Sequence, residues 1–319
     1  MNIWLKGISG LLIFLMLAGC GDQASEESPG QANDDNQTED LTEEEGPYTV
    51  TDDAGTEFTF EEVPERVISL QPSMTEILFA LGVGEKVVGV TTVDNYPEEV
   101  LEIEQVSDSW NVNAEAIIAL DPDVVFAYTI GEKEKIEPLL DAEIPVFVIA
   151  SALTFDDVYS DIEQIAAVMN AAEQGEEVIA DIQAVLAEVD EKVQSVEERK
   201  QIYFEISPAP EIYTAGGKTF QNEMMEKAGV ENIFADTEGW PMLSGEEVVS
   251  RNPEQIYTTV NYEEDPISEI KQRDGWGTID AIVNDEVFEL NNDLMSRPGP
   301  RVGEAVKHLA EIAYPELFE

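Results

Sequence analysis

The chain has 319 residues, 43% of them hydrophobic, enough for two cores of ordinary domain size. Lys and Arg number 16 against 69 Asp and Glu, a formal net charge of −53 that excludes nucleic-acid binding, which needs a basic footprint. A single cysteine near the N-terminus excludes disulfides and thiolate metal sites from the rest of the chain, and the solvated acidic surface suits an exported protein in a saline or alkaline medium.

Residues 1–20 read as a signal peptide. Lys6 supplies a positive start, and Leu11-Leu12-Ile13-Phe14-Leu15-Met16 is an apolar run too short to span a bilayer. Leu17-Ala18-Gly19-Cys20 follows and resembles a bacterial lipobox. Cleavage there would leave Cys20 as the first residue, carrying lipid, and two or more acyl chains would anchor it stably to a membrane. Residues 21–46 are acidic, with no apolar period, and are expected to form a disordered tether.

The folded part opens with strand patterns at 48–50 and 58–60 around the turn signal Asp52-Asp53-Ala54-Gly55, a hairpin. Strands are then expected over 67–70, 87–92, 124–128 and 146–150. Helices are expected over 74–81 with Ser73 as cap, and over 113–120, 133–140 and 155–170. Next comes the longest periodic stretch, 173–199. Its apolar residues Val178, Ile182, Val185, Val189, Val193 and Val196 lie on one helical face. Some 24 helical residues would reach roughly 36 Å, the width of a small domain, so this helix reads as a rigid spine. The texture then repeats. Strands are expected at 202–206, 255–260 and 287–290, a loop at 214–218, and helices at 220–228, 246–251, from 267 past Trp276, and 302–313. The fold class is α/β. Two lobes, 47–171 and 201–319, each a mostly parallel sheet flanked by helices, are joined by one long rigid helix, 172–200.

Two segments relate the halves. Residues 113–128 read NAEAIIALDPDVVFAY, and residues 244–259 read SGEEVVSRNPEQIYTT. Each opens on a capping residue, carries Glu in third place (Glu115, Glu246) and Pro in tenth, and ends in a strand with an aromatic. A carboxylate in a first helical turn also favours the helix dipole.

The stretches RVISLQPSMTEILFALGVGEKVVGVTTVDNYPEEV, EQVSDSWNVNAEAIIALDPDVVFAY, YTAGGKTFQNEMMEKAGVENIFAD, GWPMLSGEEVVSRNPEQIY and SRPGPRV together resemble the substrate-binding proteins of ABC importers for vitamin B12, iron–siderophores and haem. The resemblance is strongest to cobalamin-binding members and covers nearly all of 47–319. It implies a monomer, lipid-anchored at the extracellular face of the cell membrane. Its partners would be a permease dimer with ATPase subunits, and it would have no enzymatic activity and no resident cofactor. The ligand would lie in the cleft between the lobes, where βα loops meet.

A corrinoid is a large, flat, partly apolar ring with amide arms, and needs aromatic faces and a few polar anchors. The resemblance points to Trp110, Tyr128, Trp240, Asp293 and Arg297 for the ligand, and to Glu115 and Glu246 for docking on the permease. Two departures count against cobalamin: Val93 replaces an aromatic, and Trp110 is offset by one residue. Arg297 and Arg301 bracket Pro298-Gly299-Pro300, and paired arginines also suit an anionic ferric siderophore. Haem would need an axial ligand such as Met74. The one histidine, His308, reads as a helix-face residue, which leaves no histidine cluster for a bare metal ion. A surface enzyme lacks support, with no G-x-S-x-G elbow and no free thiol in the folded part. A sensor or adhesion lipoprotein on this fold is the remaining alternative.

Overall fold

Alternating apolar residues on either side of the 52–55 turn form an antiparallel hairpin, β1 (Tyr48–Thr51) with β2 (Glu57–Phe60). The computed structural model describes residues 46–108, 111–128 and 133–319. Cys20 and most of the expected tether therefore lie outside the described residues. Asp52 ties the hairpin turn to the sheet that follows: Oδ1 accepts Thr56 N at 2.7 Å and Oδ2 accepts Val148 N at 3.2 Å.

The first lobe then runs β3 (Val67–Ser69), α1 (Pro72–Ala80), β4 (Val87–Thr91), β5 (Gln105–Ser107), α2 (Ala114–Ala119), β6 (Val124–Tyr128), α3 (Lys133–Asp141), β7 (Val146–Ile149) and α4 (Phe155–Val168). Its sheet has the order β5-β4-β3-β6-β7, parallel throughout. All residues of β3 and β7 are buried, which is why these strands read as unbroken apolar runs rather than alternating ones. Helix α1 starts earlier than expected. Pro72 occupies its first turn, where the fixed φ is favourable and the missing N–H costs nothing, so Gln71 rather than Ser73 precedes the helix.

Helix α5 (Ala172–Val193) is the expected spine, 22 residues and about 33 Å long. It ends before the expected Arg199, because polar side chains take the last carbonyls. Gln194 Nε2 donates to Glu191 O at 2.8 Å and Ser195 Oγ to Lys192 O at 3.2 Å. Near its start Gly175 lets α4 approach closely; a Cβ there would sit 2.8 Å from Ala166 Cβ.

The second lobe contains β8 (Gln201–Ser207), β9 (Ile212–Thr214), α6 (Phe220–Lys227), β10 (Glu231–Asn232), β11 (Met242–Leu243), α7 (Gly245–Arg251), β12 (Gln255–Thr258), α8 (Pro266–Lys271), α9 (Asp280–Val283), β13 (Val287–Glu289), α10 (Asn292–Ser296) and α11 (Val302–Ala313). Its sheet order is β11-β9-β8-β12-β13, with β10 also on β8. The pairs β8–β12, β12–β13 and β8–β10 are parallel, while β9 and β11 form an antiparallel edge. The helical stretch expected to pass Trp276 is instead broken: α8 stops at Lys271, and Gly275 (φ +83°) redirects the chain before a short 3₁₀ turn. Trp276 is buried there, under the Arg273 guanidinium, whose Nη1 and Nη2 hold the buried Glu205 at 2.5 and 3.0 Å. Helix α11 packs on α5, with Gly303 against Val185. Among the described residues no helix is long and apolar enough to cross a membrane.

The repeated segments share several hydrogen bonds. Asn113 caps α2 by accepting Ala116 N, and Ser244 caps α7 by accepting Glu247 N. Each helix runs into a left-handed residue before a proline, Asp121 (φ +48°) and Asn252 (φ +47°). Asp123 N donates to Arg66 O while its Oδ2 accepts Arg66 N, both at 2.8 Å. Glu254 does the same to Gln201, at 2.9 and 2.8 Å. Strands β6 and β12 then pair in parallel with β3 and β8.

Candidate functional site at the junction of the lobes

Among the described residues the lobes touch along two seams. In the first, Glu76 of α1, its side chain 1% exposed, receives two arginines from the far end of the chain. Arg297 Nη1 donates to its Oε1 at 3.0 Å; Arg301 Nε reaches Oε2 at 2.8 Å and Nη2 reaches Oε1 at 2.6 Å. Pro298 and Pro300 stiffen the turn between these arginines, and Gly299 lies close to Ser73 O. Burial works against the Arg301 charge, but Glu76 more than offsets it and holds the guanidinium above its already high range. The loop after β4 completes the seam. Asp94 Oδ2 accepts Thr91 N at 2.9 Å and Thr91 Oγ1 at 2.5 Å, which fixes a turn. That turn presents Val93 O and Asn95 Oδ1 to Arg297, each at 2.9 Å. Asn95 Nδ2 donates to Asp293 Oδ2 at 2.8 Å, and Asp293 Oδ1 pairs with Arg297 Nη2 at 2.9 Å. Burial raises the Asp94 carboxyl above its ordinary range, against the pull of Thr75, Thr91 and Arg297; its Oδ1 is buried with no partner among the described residues.

The second seam lies at the start of α4. Phe155 packs on Phe220 of α6 with ring centroids 5.6 Å apart, and Phe155 N donates to Glu223 Oε2 at 2.9 Å.

Exposed aromatics gather around these seams. Strand β6 lies between β3, which leads into α1, and β7, which leads into Phe155. Tyr128 at its carboxyl end, 38% exposed, therefore stands between the two. Tyr96 is 46% exposed, with the Arg301 guanidinium 4.0 Å from its ring centroid. Trp240 is 47% exposed, and its Nε1 donates to Gln221 Oε1 at 3.3 Å, beside Phe220. Tyr262, 67% exposed, follows β12. Next to it Asn261 and residues 289–293 line a pocket of about 320 Å³, rich in amides and carboxylates.

Of the residues expected at a ligand site, Asp293, Arg297 and Arg301 come together in one network, while Tyr128 and Trp240 stand exposed near the seams. Trp110 lies outside the described residues. Glu76, Asn95, Tyr96 and Tyr262 were not anticipated. A lone Glu in the apolar run PSMTEILFA was the available signal, because a buried charge needs partners. Met74 is packed in the core, so its thioether is not presented at the junction. His308 is half-buried on α11. Glu115 and Glu246 are exposed in the first turns of α2 and α7, with no side-chain partner among the described residues. The neighbouring Glu247 is taken up in the capping box with Ser244.

Two α/β lobes on one continuous helix, tied by buried ion pairs and bordered by exposed aromatics, define a two-lobed solute-binding protein. The family described as periplasmic binding protein matches residues 67–294, and the chain belongs to it. It is a family of binding proteins, not of enzymes. Over 97% of its length the chain is 38% identical to 96% of a Bacillus subtilis (strain 168) protein described as an uncharacterized ABC transporter substrate-binding lipoprotein, YvrC. A vitamin B12-binding protein of Vibrio parahaemolyticus is 32% identical, covering 77% of this chain and 88% of that protein. The crystal structure of a possible iron-binding, periplasmic solute-binding protein from Staphylococcus epidermidis superposes with a TM-score of 0.72 at 33% identity, over 79% of this chain and 100% of the other.

Proposed function

We propose that the protein is the substrate-binding lipoprotein of an ABC importer, and that it takes a corrinoid, cobalamin, between its lobes. The observation that carries this reading is the set of exposed aromatics, Tyr96, Tyr128, Trp240 and Tyr262, together with the amides of Asn261 and Asn292 in the pocket that follows Tyr262's strand. Flat apolar faces and neutral hydrogen-bonding groups match a ring with amide arms. Likeness to vitamin B12-binding and lipoprotein relatives supports it. In this reading lipid on Cys20 holds the protein at the outer face of the membrane. Glu115 and Glu246 dock on the permease, which works with its ATPase subunits. A ferric siderophore is the second reading, favoured by the staphylococcal structure. Haem would have to take a tyrosine such as Tyr96 or Tyr128 as its axial ligand, because Met74 is packed in the core.

The test is tryptophan fluorescence of the purified protein, corrected for absorption by the ligand. It is titrated with cyanocobalamin, a ferric hydroxamate, a ferric catecholate and haem. Saturable quenching by cyanocobalamin, weakened in Trp240→Ala, is the expected result. Saturation by a ferric siderophore alone would overturn the corrinoid reading in favour of the second.

A further inference from the structure

Glu76 is the one charged residue of α1, and nothing in its own lobe compensates it among the described residues. A carboxylate buried without partners is costly; this one is met by Arg297 and Arg301. The effect runs both ways. Arg297, 9% exposed, commits Nη1 to Glu76 and Asn95 and Nη2 to Val93 O and Asp293. Arg301 commits Nε and Nη2 to Glu76 and lies over Tyr96. Two arginines thus pair with two carboxylates, Glu76 and Asp293, and the Asp94 carboxyl lies near Arg297 as well, so neither guanidinium is left without a negative partner. Beside Trp240 the loop cation Lys218 is likewise paired, with Glu238 at 2.5 Å. The aromatics at the lobe junction therefore border a surface with no uncompensated positive charge among these residues, on a chain of net charge −53.

We propose that Glu76 sets the charge class of the ligand. By neutralising Arg297 and Arg301 it makes the junction receptive to a neutral ligand and unreceptive to an anionic chelate. This rests on the reading of the junction as the ligand site. Removing the Glu76 charge would make the network more positive by one unit and take from Arg301 its only ion-pair partner among the described residues. At an effective dielectric of about 20 and a separation of about 6 Å, one such charge is worth on the order of a hundredfold in affinity per ligand charge, less after screening by salt.

The experiment compares two iron chelates that differ in charge, a neutral ferric hydroxamate and a trianionic ferric tris-catecholate, together with neutral cyanocobalamin. Binding is measured to the full chain in detergent, at low and high salt. For the parent protein, the tris-catecholate is expected to bind at least tenfold more weakly than the better neutral probe. In Glu76→Gln that ratio should fall by at least tenfold, and the change should shrink at high salt. Adding Arg301→Met to Glu76→Gln restores the charge balance and should restore the discrimination. A purely structural role for Glu76 would weaken all probes together and leave the ratio unmoved, which overturns the proposal. Should Glu76→Gln not fold, Asp293→Asn uncovers the same charge from the exposed side of the network, and an unchanged ratio there is equally fatal. If cyanocobalamin saturates while the ratios stay fixed, only the charge proposal falls. If no probe saturates parent or variants, the reading of the junction as the ligand site falls with it.

Discussion

Glu223 on α6 accepts the backbone N–H of Phe155, the first residue of α4, at 2.9 Å, so a side chain of one lobe caps a helix of the other. Phe155 is buried, and without Glu223 its N–H would lose that partner. Glu223→Ala should cost about 1 kcal/mol, seen as a fall in melting temperature of roughly 2–4 °C. Glu223→Gln keeps an acceptor and should recover most of the loss. Equal losses in both variants would show that the charge, with its Lys227 partner at 3.3 Å, matters more than the bond.

Gly175→Ala sets helix propensity against packing. Alanine gains up to about 1 kcal/mol of intrinsic helix preference over glycine. Here the new methyl would lie 2.8 Å from Ala166 Cβ, and forcing two helix backbones apart typically costs about 1–3 kcal/mol. The variant is expected to be less stable by chemical denaturation. A more stable Gly175→Ala would mean that α4 and α5 can slide apart without penalty.

Asp161 on α4 is buried, and its carboxyl is pushed up to about 8, first by desolvation and then by the negative charges of Asp53 and Asp157. The folded protein therefore keeps a proton that the unfolded chain releases above its ordinary carboxylate value. This group contributes a loss of stability that begins near pH 4, grows to about pH 8 and then levels off, with a ceiling of about 1.4 kcal/mol per pH unit. Asp161→Asn should flatten the fall in melting temperature between pH 5 and pH 8. Parallel curves for the two proteins would show that Asp161 is ionised when folded.

Charge reversal at Glu115 and Glu246 tests docking separately from binding. Glu115→Arg with Glu246→Arg should abolish ligand uptake by cells while leaving the dissociation constant of the purified protein within about twofold. Both side chains point away from their helices with no partner among the described residues, so folding should be unaffected. Undiminished uptake would remove both residues from the partner surface.

Trp240→Ala should weaken cyanocobalamin about tenfold, the scale of one aromatic face together with its buried area. Gln221→Ala removes only the acceptor that orients the indole and should cost less, about two- to threefold. If Gln221→Ala proves the more damaging, Gln221 touches the ligand itself.

Much of this architecture was legible because local rules decided it. The spine showed in the spacing of Ile182, Val189 and Val193, which are buried as the stripe required. Parallel strands such as β6 and β7 showed as short apolar runs between capped helices. The antiparallel edge did not show, because β9 and β11 have three and two residues and carry no resolvable period. The break after α8 turned on one left-handed glycine inside an otherwise helical pattern. At the junction, Arg297 and Arg301 were legible as a pair, but their partner was not. Glu76 lies 221 and 225 residues away, and only the folded chain brings them together.

The copied unit of capped helix, left-handed turn and strand occurs once in each lobe of this single chain. Glu115 and Glu246 are presented by the same local geometry, one on each lobe. A partner built from two like subunits would meet one copy with each, and the chain would act as a bivalent ligand. Once one lobe was seated, the second contact would form at an effective concentration fixed by α5 rather than by the amount of free protein. Neither contact then needs to be strong. Two modest grips would hold together, and the loss of one would loosen both.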